Sequence, residues 1–212
     1  VWNPPNLSDY VAFLQGVVQL PAANLPTATG TATGGDTASL TDSTATWTVN
    51  QWAGFTLTDT TQNAQAVVLS NTTTTLTFAA LPNPINAGDT YWITQGFVPG
   101  SLWIAQQTVN TFLMCVAEYS LIVYNLAADR LINYAVDLPN QTYYEDVRKK
   151  FSINNVSLWV TDAASDHGTS QHGVVPEQLK MLTLMDLQTL RTPWGRTYMG
   201  MAQATGTLWG IS

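Results

Sequence analysis

Residues 27–96 contain 20 threonines in 70 positions and no lysine, arginine, glutamate or histidine. Threonine is β-branched, which restricts its side chain in a helix and suits it to a pleated strand. A stretch of this kind, with apolar residues alternating through it, predicts antiparallel β structure. Five strands are expected, at 37–41, 54–59, 64–70, 74–79 and 90–95, separated by turn-forming runs such as Asn86-Ala-Gly-Asp89. Trp47, Trp52, Phe55, Leu57, Val68, Leu76, Phe78, Tyr91 and Ile93 form the expected core. Strands this short and evenly spaced suggest a small antiparallel barrel or sandwich. The start of the stretch, 27–35, is rich in glycine and small residues and reads as a flexible linker.

The flanking segments follow a helical period. Ser8 can cap a helix to about Gln19 that ends at Pro21, with Val11, Leu14, Val17 and Val18 on its apolar face. Ser101 opens a long apolar stretch to about Val136, stopped by Leu138-Pro139. Residues 141–151 place Glu145 and Asp146 early and Arg148, Lys149 and Lys150 late, the order that complements a helix dipole. Residues 155–164 fit a strand or a helix, with Asn155 as a cap and Val156, Trp159 and Val160 favouring helix; Thr183 starts another, and Pro193 suits the first turn of a last helix to about Ala204. The expected fold class is α+β, a discontinuous helical body of 1–26 and 97–212 carrying 27–96 as an inserted β domain. Such insertions are tolerated where the ends of the inserted chain lie close together.

Charge follows the same division. Residues 1–129 carry seven carboxylates and no cation, whereas 130–212 carry seven carboxylates and seven cations. The whole net charge of −7 therefore belongs to the first part, and the acidic β domain is expected to be displayed. So few cations argue against a protein that grips nucleic acid through its phosphates. With 45% apolar and 10% charged residues the chain has the opposite of a disordered composition. The longest apolar stretch, 102–128, is broken by Gln106, Gln107, Asn110, Glu118 and Asn125, short of the roughly 18 uninterrupted apolar residues of a membrane span. The first residues show neither a basic segment nor an apolar one, so no signal peptide is expected on the chain shown.

Little catalytic chemistry is visible. The two histidines, His167 and His172, lie in one polar loop with Asp162, Ser165 and Asp166, without a nucleophile elbow or a second ligand cluster. A hydrolase built on either histidine is the weakest functional reading. No metal site, cofactor or catalytic residue is expected, and the single cysteine, Cys115, reads as a buried small hydrophobe. Residues 190–198 instead place Arg191, Trp194, Arg196 and Tyr198 together, types enriched at the energetic centres of protein interfaces. The tail adds Trp209 in an uncharged apolar run that suggests burial against a neighbour.

Several runs in 97–212, Val123-Tyr-Asn-Leu-Ala-Ala-Asp-Arg-Leu-Ile132, Tyr143-Tyr-Glu-Asp-Val-Arg-Lys-Lys-Phe151, the polar loop 164–173 and 182–196, resemble small helical head-to-tail connector (adaptor or head-completion) proteins of tailed bacteriophages. The β segment, with Thr46-Trp-Thr-Val-Asn-Gln-Trp-Ala-Gly54, Leu69-Ser-Asn-Thr72 and Ala87-Gly-Asp-Thr-Tyr-Trp-Ile93, is similar to small modules of phage virion proteins. The resemblance implies a helical adaptor-like bundle and a non-enzymatic structural protein at the head-tail junction of a virion, made in the host bacterial cytoplasm. It implies a homo-oligomeric ring of roughly twelve subunits beneath the portal protein, touching another neck or tail protein. Encapsidated DNA would pass through without specific binding, and no membrane would be involved. Arg191, Trp194, Arg196, Tyr198 and Trp209 would form the portal or subunit docking arm. The alternative function is a tail, baseplate or receptor-binding component whose β module binds a host glycan or protein, for which an exposed Trp52 or Trp92 would be the sign.

Overall fold

The structure is a computed structural model that describes residues 4–109, 116–151, 165–166, 169–170 and 188–204. The chain divides into two compact units, Leu7–Ser101 and, together, Val1–Asn6 with Leu102–Ser212.

The first unit opens with α1 (Leu7–Gly16) and a short 3-10 turn (Ala22–Asn24). Tyr10, Val11, Leu14 and Val18 are buried, but Val17 is 62% exposed. The helix stops before Gln19 because that residue adopts φ 57°, and Leu20 N–H closes the end on Leu14 C=O at 2.9 Å. The bond spans one residue more than that of a Schellman cap, and a glutamine takes the left-handed position that glycine usually fills. Seven strands follow: β1 (Ala28–Thr31), β2 (Gly34–Gly35), β3 (Ser39–Thr41), β4 (Thr56–Asp59), β5 (Ala64–Asn71), β6 (Thr75–Phe78) and β7 (Thr90–Thr94). All five expected strands are present. Seven of the nine expected core residues lie in the sheet's apolar cluster, joined by Ala32, Leu40, Leu81 and Ile85, while Trp47 and Phe55 pack against it.

Two expectations fail here. The segment 27–35 is not a flexible linker, since β1 pairs with β7 and β2 with β3. Its small residues answer to space. A Cβ on Gly30 would stand 2.6 Å from Tyr91 Oη and 2.7 Å from Asp42 Oδ2. Nor do the strands make a closed barrel or a sandwich carried by a helical bundle. They form one open antiparallel sheet in the order β1-β7-β4-β5-β6-β3-β2, accompanied by five α-helices among the described residues. The long β5 joins the two halves and is bulged between Val68 and Ser70. The end strands β1 and β2 are consecutive in the chain. Ala32 N–H bonds to Asp89 C=O while Thr33 N–H bonds to Thr41 C=O, so the chain changes partner there and no ladder joins β1 to β2.

The unit's aspartates are building parts. Asp42, Asp59 and Asp89 are buried, leaving Asp36 as the exposed carboxylate of residues 27–96. Asp42 Oδ1 accepts from Thr44 N–H and Thr44 Oγ1, and its Oδ2 from Tyr91 Oη at 2.7 Å. Burial alone would raise the Asp42 carboxyl, but the bonds from Thr44, Tyr91 and the local backbone hold it below the usual range. Burial and the facing carboxylate push the Tyr91 phenol far up. Asp59 Oδ1 accepts from Thr61 and Gln62 N–H, and Asp89 Oδ2 from Asn86 N–H and Gln62 Nε2. Threonines also pair across the sheet, as Thr60 with Thr90 at 2.8 Å, which accounts for part of their abundance.

α2 (Phe97–Thr108) contains the division between the units at Ser101 and Leu102. The second unit adds α3 (Val116–Tyr134), α4 (Tyr143–Lys150), a two-residue hairpin of β8 (Ser165–Asp166) with β9 (Thr169–Ser170), and α5 (Pro193–Ala204). α3 buries Tyr119, Ile122, Val123, Leu126 and Leu131, a helical repeat. Cys115, the helix expected at 155–164, the start expected at Thr183, His167, His172 and Trp209 lie outside the described residues.

Candidate functional site

The residues singled out for docking surround the start of α5. Thr192 precedes Pro193, the first helical residue, and accepts Gly195 N–H on Oγ1 at 2.9 Å. This is an N-cap with proline in the first turn, where its missing N–H costs nothing. The same hydroxyl donates to Asp129 Oδ1 of α3 at 2.6 Å, so one threonine ends the helix and ties it to its neighbour. Asn133 Nδ2 donates to Asp129 as well, at 3.1 Å to Oδ1 and 2.9 Å to its backbone oxygen. A Cβ on Gly195 would run into the Thr189 carbonyl oxygen and approach Asp129 Oδ1 at 2.7 Å. Only glycine lets the helices come this close.

Behind the surface lies a buried charge pair. Asp129 is fully buried and Arg130 is 5% exposed, with Arg130 Nη1 3.7 Å from Asp129 Oδ2. Neither of those two atoms has a hydrogen-bond partner. Burial raises the Asp129 carboxyl to about 6 against the bonds from Thr192 and Asn133 and the attraction of Arg130, which lower it.

α4 is fixed reciprocally. Asp137, just past the end of α3, accepts Tyr144 N–H on Oδ1 at 2.8 Å and Glu145 N–H on Oδ2 at 3.0 Å. Arg148 Nη1 returns to the end of α3, donating to the carbonyls of Ile132 at 3.0 Å and Ala135 at 2.7 Å. A cation on helix C-terminal carbonyls and a carboxylate on helix N–H groups are both favoured by the backbone dipoles.

On this frame Trp194 is half-buried and meets Phe151 edge to face, with ring centroids 6.0 Å apart. Arg196 is exposed and donates through Nη1 to the carbonyls of Leu190 and Arg191, both at 3.2 Å. Arg191 is half-buried and shares a small hollow with Arg148, and Tyr198 is half-buried one turn beyond Trp194. The structure thus brings Arg191, Trp194, Arg196 and Tyr198 to one helix start. Thr192-Pro193 is a signal by which sequence could have found the cap. Nothing local marks Asp129, Arg130 or Gly195 as its supports.

The arrangement offers cations and aromatic faces on a rigid mount. Among the described residues no group of His, Cys, Asp and Glu could hold a metal, and no helix is long and apolar enough to cross a membrane. No protein family, curated protein or solved structure matches the chain.

Proposed function

We propose that the chain is a non-enzymatic structural component of a tailed-phage neck, one subunit of a ring that joins the portal to another neck or tail protein and extends the DNA channel. The reading rests on the resemblance of residues 97–212 to connector proteins. The observation that carries it further is the start of α5, where Arg191, Trp194 and Arg196 stand on a turn braced from behind by the Asp129–Thr192–Gly195 bonds. Trp194, packed on Phe151, and Arg196, bonded to two carbonyls, lose little freedom on docking, and Trp and Arg dominate interface energetics. The receptor-binding alternative asked for an exposed Trp52 or Trp92. Trp52 is 5% exposed within the sheet core and Trp92 is half-buried, so no observation favours it.

The test is the mass of the purified chain with and without portal protein. A ring on the portal is expected, with affinity reduced at least about tenfold by Trp194→Ala combined with Arg196→Glu, the loss of one interface hot spot. A chain that remains monomeric when portal is added overturns the reading. Truncation after Ala204 asks separately whether Trp209 contributes to the docking arm.

A further inference from the structure

We infer that the hollow between α3, α4 and the start of α5 is a binding site for an oxyanion, a carboxylate or a phosphate group. Its lining is Ile132, Asn133, Arg148, Phe151, Arg191 and Thr192, around about 60 Å³. That is space for roughly four water molecules, and so for one such group.

Two arginines line this hollow, and neither forms a salt bridge among the described residues. Arg148 is held in place because its Nη1 is committed to the Ile132 and Ala135 carbonyls, while its other nitrogens have no described partner. The Arg191 guanidinium makes no hydrogen bond or ion pair with any described residue. Two like charges lining one hollow are offset by an anion bound in it, and arginine's forked geometry suits carboxylate and phosphate.

The rest of the wall agrees with a negative ligand. Thr192 caps α5, a helix of 12 residues, so the positive end of its dipole adjoins the hollow. The carboxylate bonded to the lining is Asp129, through Thr192 and Asn133, and Arg130 stands 3.7 Å from it on the other oxygen. Exposed Arg196 adds a cation beside Arg191, whose carbonyl it binds. The site does not depend on the neck reading, because its described lining comes from one chain.

The experiment titrates the isolated chain with sodium phosphate and, separately, sodium acetate, each against sodium chloride at equal ionic strength. Binding is read from the amide NMR signals of Thr192 and Gly195 and from thermal stability. Saturable shifts with either oxyanion, weakened at least about tenfold in Arg191→Gln as expected for losing a charged hydrogen-bond donor, support the site. Arg191→Gln is the informative variant because that guanidinium holds nothing else in the fold. Preference for acetate points to an acidic side chain as the natural ligand, and preference for phosphate to a phosphorylated one. Chloride acting as well as both oxyanions, or Arg191→Gln binding like the parent, overturns the inference. Since no portal is present, failure here leaves the neck reading untouched, and failure of ring assembly leaves the site untouched.

Discussion

The two compact units handle buried carboxylates differently. In Leu7–Ser101 no cation exists, and Asp42, Asp59 and Asp89 are held by turn N–H groups, a glutamine amide and the Tyr91 hydroxyl, although Asp59 Oδ2 is buried without a partner. In the second unit Asp129 is buried with Arg130 and tied to Thr192, while Arg148 and Asp137 fix the ends of α3 and α4. Local hydrogen bonds to a carboxylate are short-range and scarcely screened. A buried ion pair leaves a large desolvation cost whenever one partner is lost. The acidity of residues 1–129 is therefore not mainly a displayed surface; much of it is internal bracing for turns.

That contrast can be broken most severely at Arg130. Arg130→Leu leaves Asp129 a buried carboxylate without a cation, and a loss of about 3 to 5 kcal/mol is expected at pH 7.5 by urea unfolding. The loss should shrink at pH 5. Asp129 has a folded value of about 6 against an ordinary 3.8, so between those values the folded state binds more protons and this group's stability contribution rises as pH falls. A loss equal at both pH values would show that the pair is not its source.

Glycine contacts come next, one in each unit. Gly195→Ala forces Cβ against the Thr189 carbonyl and should cost about 3 kcal/mol, and Gly30→Ala, which meets side-chain atoms, about 2 kcal/mol. Calorimetric midpoints unchanged in either variant would contradict the close approach.

Tyr91→Phe removes the donor to Asp42 Oδ2 and should cost about 1.5 kcal/mol. Asp42 has a lowered folded value, so its contribution is present above the ordinary 3.8 and lost as pH falls through the folded value. The difference between Tyr91→Phe and parent should therefore be full at neutral pH and diminish in strong acid. The smallest effect belongs to Lys149→Ala. The Lys149–Glu145 pair, 2.7 Å apart, is exposed at both ends, and the variant should unfold as the parent does at physiological salt.

Legibility in the sequence tracked the range of the interaction. The strands at β3 to β7 declared themselves by alternation, α4 by charge order and α5 by Pro193, all signals contained within a few residues. Residues 27–35 were opaque because a small-residue linker and a small-residue strand look alike until Tyr91 and Asp42 are placed opposite Gly30. At the candidate site Arg191, Trp194, Arg196 and Tyr198 could be chosen by type, being neighbours in the chain. Arg148 could not be joined to Arg191, because 43 positions separate them (191 minus 148) and only packing brings both to one hollow.

Sequence alone determined that residues 37–95 would be strands around an aromatic and aliphatic core, that helices would flank them, and that every cation would fall after residue 129. Those properties are set by side-chain shape, alternation and composition, which act locally. Tertiary structure decided that the sheet stays open, with its end strands joined head to tail through Ala32-Thr33. It also decided that most aspartates of the β segment point inward, and that Asp129 accepts, across 63 positions, the hydroxyl of the Thr192 that caps the mount of the arginines. These outcomes depend on which distant atoms meet, and a buried polar atom's partner is fixed by where the chain returns rather than by its neighbours in sequence.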